Sequence, residues 1–312
     1  MTAQSSAMAR RFLRPLLLFL LFVVVSQLLE ALLDWVFLMK LQVIDVRDAS
    51  WRPSLFIWAE GITTVAALAA AGLVAIAGRR SFASLGFAAT RAGRRLCIGS
   101  LFGLGAVALL VGAIAALGGY SPGHLMMTGP RLAGTAIAWL VAMFGIGLAE
   151  ETTFRGAGLI TLGEAIGFWP AAIVISAIFA ALHYFGKGPI ENLADALSVG
   201  LLGLFMSFTV LRTGSIWFAV GFHALFDDAA LYIFGAPNSG NHQGQPIATR
   251  LLSGGFHGPQ WLTGGPLGVE ASWLVFPVIA LLFVVFHLLH RRAEAPGYNP
   301  PVPVQSKRGG VV

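Results

Sequence analysis

The chain has 312 residues, of which 57% are hydrophobic and 11% charged, with a formal net charge of +6. That balance excludes an ordinary soluble domain, in which about a quarter of residues are charged. The positive surplus does not imply a nucleic-acid partner, because the basic residues fall in short clusters between apolar runs.

A helix needs about 20 apolar residues to cross the hydrocarbon core. In chain order, runs near 15–38, 54–78, 96–118, 132–149, 169–185, 193–211, 213–234 and 271–290 qualify. The first follows MARRFLRP, as a signal peptide would, but it is too long and lacks a small-residue cleavage site before Glu30 and Asp34. Continuous runs argue against a β-barrel, whose strands alternate over about ten residues. The expected fold is all-α, a polytopic membrane helix bundle of about eight transmembrane helices. Residues 1–130 are expected to supply N-terminal membrane helices and 131–290 a helical core that carries the chemistry. The Pro-rich tail, 291–312, is expected to be disordered.

Arg10, Arg11 and Arg14, then Arg79, Arg80, Arg91, Arg94 and Arg95, then Arg291, Arg292, Lys307 and Arg308 fall on one side of such a bundle. The positive-inside rule makes that side cytoplasmic, with both termini. The Gly-, Pro- and Asn-rich stretch 235–270 would then face the other side. Cys97 is the single cysteine, which excludes disulfides within the chain and thiolate metal clusters.

Ionisable groups inside such a bundle carry the functional information, because each is costly in hydrocarbon. Three places hold them: Glu150, Glu151 and Arg155 in LAEETTFRG; His183 in SAIFAALHY; and His223, Asp227 and Asp228 in GFHALFDD. Glu151 and Arg155, four apart, share a helix face and neutralise one another. Glu150 lies about 100° round the helix and is left to point elsewhere. His223 and Asp227 also share a face, which suits a carboxylate orienting an imidazole or two groups meeting at a water or metal. Asp228 faces away and is expected near the membrane surface. Phe179, one turn before His183, is read as packing. A pocket enclosed by Glu150, His183, His223 and Asp227 would explain a carboxylate that water and histidine, not lipid, surround. One conflict stands: with the span ending at 149, Glu150 and His183 fall toward opposite membrane faces.

EETTFR at 150–155 fits EExxxR, FAALH at 179–183 fits FxxxH, and HALFD at 223–227 fits HxxxN/D. In this order, over about residues 130–235, they resemble the CPBP family of intramembrane proteases. That family includes the type II CAAX prenyl endoproteases and bacterial homologues linked to bacteriocin processing and immunity. TGGPLGVEASWL at 263–274 is similar to the segment that follows in bacterial members. The resemblance implies a membrane endopeptidase acting on a peptide or protein substrate, with Glu150 activating water, His183 assisting or binding metal, and His223 with Asp227 at the oxyanion or as ligands. Glu151 and Arg155 carry over as scaffold for Glu150. Asp227 stands where the eukaryotic enzymes have Asn, and an ionised Asp cannot donate to an oxyanion. The resemblance leaves open zinc held by Glu150, His183 and His223 or a metal-free glutamate mechanism. HExxH, GxGD and a membrane GxSG serine are all missing. The composition and the family together point to a bacterial inner membrane. The competing readings are a transporter using the polar residues as an ion path and a non-enzymatic immunity or scaffold protein.

Overall fold

The computed structural model describes residues 3–41, 51–186, 192–238 and 244–291. The tail expected to be disordered therefore lies, beyond residue 291, outside the described residues. The chain is an integral membrane protein with an all-α helical bundle. Its helices are α1 (Ala3–Asp34), α2 (Pro53–Gly78), α3 (Ala92–Ala116), α4 (Gly129–Phe154), α5 (Ala157–Ile166), α6 (Phe168–Gly186), α7 (Leu193–Thr213), α8 (Trp217–Asp227), α9 (Gln260–Thr263) and α10 (Val275–Leu289).

Six stretches among the described residues are long and apolar enough to span a membrane, the last being Leu193–Thr213. The sequence led us to expect about eight. The run at 213–234 folds instead as α8, of 11 residues, continued by π-helical turns over Asp228–Ile233. Its apolar side chains serve burial in protein: Phe218, Ala219, Val220, Phe222, Ala224 and Phe226 are all buried. The run at 271–290 yields α10, of 15 residues, about 22 Å at 1.5 Å per residue and short of the hydrocarbon thickness. Outward faces stay apolar, as lipid contact requires; α1 leaves Leu13, Leu17, Leu20, Val24 and Leu28 exposed.

Small residues decide how close α8 comes to its neighbours. A Cβ on Gly99 or Gly103 of α3 would collide with the carbonyl oxygens of Phe218 and Phe222, and one on Gly221 of α8 with that of Leu96. On α4, a Cβ at Gly147 would stand 2.9 Å from the Val220 oxygen. Backbone-to-backbone approach of this kind holds helices together where no hydrophobic drive separates them from lipid. It fixes α8 between α3 and α4.

The two ends of the bundle differ in chemistry. At one, an Arg14 Nη2 donates to the Gly78 carbonyl at 2.9 Å and Arg212 Nη1 to that of Arg291 at 3.3 Å. Arg91, Arg94, Arg95, Thr213 and His290 surround one depression there. At the far end of α3, strand β1 (Tyr120–Ser121) pairs antiparallel with β2 (Gly255–Phe256), Tyr120 opposite Phe256. Trp139 Nε1 donates to Thr249 Oγ1 at 2.9 Å and Ser198 Oγ to the Glu270 carbonyl at 2.6 Å, tying this cap to α4 and α7.

Candidate active site

The Glu150–Glu151 pair stands on the last turns of α4, which runs on to Phe154 before the chain breaks at Gly156. A Cβ at Gly156 would come within 2.9 Å of the Phe87 ring, so the break needs a glycine. Here the conflict over Glu150 and His183 is resolved. The chain travels past Glu150, through the 10 residues of α5, and α6 turns back alongside α5. The return brings His183, in the last turn of α6, to the level of Glu150.

Glu151 and Arg155 form the buried half of the site. Both side chains have 0% exposure, and Arg155 Nη1 donates to Glu151 Oε1 at 3.1 Å. The guanidinium also lies over the Phe179 ring, 4.4 Å from its centroid. Gly203 of α7 makes room for it, since a Cβ there would stand 2.5 Å from Arg155 Nη2. Phe179 is 3% exposed and packs as expected, but it is also a wall shared by both histidines, whose rings lie 4.4 Å (His183) and 6.3 Å (His223) away.

His223 joins this block to the open half. Its Nδ1 is 2.9 Å from Glu151 Oε1. Because a carboxylate accepts, this nitrogen carries the proton and donates. The sequence left Asp227 either orienting His223 or meeting it at a water or metal; the Nδ1 bond goes to Glu151, and Asp227 Oδ2 lies 3.5 Å from Nε2, on the other edge of the ring. Glu150 Oε2 approaches the same Nε2 at 3.6 Å. That oxygen is buried and makes no hydrogen bond among the described residues. His183 Nδ1 is 2.9 Å from the Phe179 carbonyl, which only accepts, so the neutral ring presents Nε2 as an acceptor.

Glu150, His183, His223 and Asp227 all line one cavity of about 600 Å³, within the range for small-molecule or peptide sites. The four residues read from the sequence therefore share a chamber. Asp228, expected near the membrane surface, is buried within the protein, 6% exposed. Trp51, Phe56 and Glu60 of the α2 region and Glu270 of the cap also line the chamber. Sequence reasoning missed them, although a lone carboxylate in WAEGITTVA was a visible signal of the same kind as Glu150.

Zinc, one of the two possibilities the sequence left open, was tested against the donor geometry. Among the described residues, no three His, Cys, Asp or Glu side chains are gathered so as to hold a metal ion. His183 packs against the Phe179 ring. This arrangement does not fit the expected ligand set, and no step below is routed through a metal.

Neither a curated protein nor a solved structure matches the chain. Residues 132–228 match a family described as type II CAAX prenyl endopeptidase Rce1-like. The matched segment runs from α4 through α8 and contains all three motifs, so the chain is similar to this family over its catalytic-motif region.

Proposed function

We propose that the chain hydrolyses a peptide bond of a membrane-associated substrate, with Glu150 as the base that activates water. The observation that carries this is the contrast between neighbouring carboxylates. Glu151 is fully buried and engaged through Oε1 by Arg155 and His223, whereas Glu150 is partly exposed, lines the cavity and makes no hydrogen bond through Oε2 among the described residues. A general base must reach its proton through a hydrogen bond, directly or through water, and Glu150 is the carboxylate placed to do so.

In this reading water sits between Glu150 and the scissile carbonyl. Glu150 takes its proton as the oxygen attacks the carbonyl carbon, and the C=O electron pair moves onto the oxygen. His223, held by Glu151 and carrying a second proton on Nε2, donates to the resulting oxyanion. Collapse of the intermediate breaks the C–N bond while Glu150 returns its proton to the leaving amine. His183, an acceptor at Nε2, orients the water or the leaving N–H. Asp227 keeps the second proton on His223. One donor of this type is typically worth about 10²–10³ in rate.

Glu150→Gln preserves size and removes the base. The expected outcome is a folded protein with peptide cleavage lowered at least about 10³-fold; near-normal turnover would remove Glu150 from this role. Metal analysis of purified, active wild type decides between this mechanism and zinc: stoichiometric metal whose removal abolishes activity would replace it.

We further place the basic end of the bundle in the cytoplasm of a bacterial inner membrane, with both termini. The support is that Arg14, Arg91, Arg94, Arg95, Arg212 and Arg291 gather at one end, opposite the cap. Reporter fusions at each terminus that report a periplasmic location would reverse it.

A further inference from the structure

The chamber has a wall that the three motifs do not supply. Phe56 and Glu60 are one helical turn apart on α2 and project from the same face. The Trp51 ring meets Phe56 edge-on, with centroids 4.9 Å apart, and Phe56 leans on the fully buried Trp139 at 6.0 Å. Trp139 is in turn held by Thr249 at 2.9 Å, so the aromatic wall is braced before anything binds. The two helices are in contact here: a Cβ built at Gly145 of α4 would sit 3.7 Å from Glu60 Cβ, an ordinary packing distance. Glu60 therefore faces the chamber beside the Glu150 turn, within electrostatic range of Glu150, His223 and Asp227.

Four carboxyl groups, those of Glu60, Glu150, Asp227 and Glu270, line the chamber, and no Arg or Lys among the described residues does. Arg52, next to Trp51, is exposed and is not part of the lining. A cation entering such a low-dielectric cleft favours the ionised form of the carboxyls around it and is attracted by them. Aromatic faces beside a carboxyl group suit a guanidinium or ammonium, because the ring quadrupole and the ionised carboxylate both attract it.

We propose that Trp51, Phe56 and Glu60 form a specificity subsite for a cationic side chain, Arg or Lys, of the peptide substrate. The subsite rests on the peptidase reading above for its place in catalysis, but it is a binding claim and is tested as one. It makes the substrate a basic, apolar peptide segment.

The probes are short apolar peptides with Arg, norleucine or Glu placed at each position in turn, each made with a free and an amidated C-terminus. Binding is read by fluorescence anisotropy on detergent-solubilised Glu150→Gln protein, with and without Glu60→Gln, and cleavage is read on wild type. At one or two positions Arg should bind about tenfold tighter than norleucine, with Glu weaker still. Glu60→Gln should bring the Arg-to-norleucine ratio close to one, and Glu60→Asp should restore part of it. If Glu60→Gln fails to fold, Phe56→Leu carries the test, since losing the ring should lower the same ratio. Cleavage without any preference for Arg would leave Glu150 as the base and overturn the subsite. Binding that depends on Arg and Glu60, with no cleavage of any peptide, would support the subsite and count against the peptidase. An Arg preference that survives both Glu60→Gln and Phe56→Leu, or no Arg preference at all, overturns the subsite outright.

Discussion

Glu151 and Glu150 are consecutive residues on one helix, yet they belong to two different regions. Glu151 lies in a sealed block with Arg155, Phe179 and Gly203, where exposure falls to 0% for both charges. Glu150 lies in an open chamber with His183, Asp227 and Glu60. His223 spans the border, giving one nitrogen to each side. A carboxylate sealed against an Arg and a His becomes structure, whereas one that opens onto a cavity is available for chemistry. Helical rotation of about 100° per residue is enough to separate the two fates.

The largest effect should come from breaking the sealed block. Arg155→Ala strands Glu151, whose side chain has no solvent exposure, and breaking a buried pair typically costs about 3–5 kcal/mol. Thermal unfolding in detergent should show that loss, and Glu151→Ala should show a similar one. Replacing both with apolar residues of similar volume should be milder than either single change. Strict additivity in that cycle would mean that the pair does not interact.

Gly203→Ala tests the same block through packing. Its new methyl would stand 2.5 Å from Arg155 Nη2, and overpacking of this kind costs about 1–3 kcal/mol. Because Arg155 holds Glu151, and Glu151 holds His223, activity should fall along with stability even though Gly203 lies outside the chamber. Unchanged stability with unchanged turnover would show that the guanidinium moves aside without consequence.

A third carboxylate extends the comparison to the α1–α2 contact. Glu30 Oε1 accepts from Thr63 Oγ1 at 2.6 Å, and Oε2 accepts from Gln27 at 3.0 Å. Interhelical hydrogen bonds in membranes average about 0.6 kcal/mol and reach about 1.7. Thr63→Val should therefore lower stability by about that much and leave peptide cleavage unaffected. A large loss of activity would tie the α1–α2 contact to the chamber.

Much of the site could be read from spacing alone. The i,i+4 relation of Glu151 to Arg155 and of His223 to Asp227 is a property of the helix, and both pairs face as that geometry requires. Partners across helices could not be read this way. That Glu151 accepts from His223 Nδ1 depends on α8 lying close against α4, which Gly147 permits. The same enclosure explains why 213–234 looked like a full span and why Asp228 was expected at a surface: apolarity reports burial without saying whether lipid or protein does the burying. Glu60 went unassigned because its helix lies before the motifs, and only the α2–α4 contact brings it to them.

Asp227→Asn is the gentlest change and the one that best separates charge from shape at the border of the two regions. Asp227 Oδ2 and Glu150 Oε2 stand at 3.5 and 3.6 Å from the same nitrogen of His223. Asn keeps an acceptor oxygen there and adds a donor, while removing one of the two negative charges. Asp227 is partly exposed, so stability should change by no more than about 0.5 kcal/mol. If Asp227 acts by shape and hydrogen bonding, Asn should retain most of the turnover and Ala should lose more. If it acts by charge, holding the second proton on His223, Asn and Ala should fall together, and by less than Glu150→Gln because Glu150 still faces the ring. The mechanism above requires the second pattern. Full turnover in Asp227→Asn would instead make His223 an acceptor at Nε2 and leave the oxyanion to be stabilised by another donor.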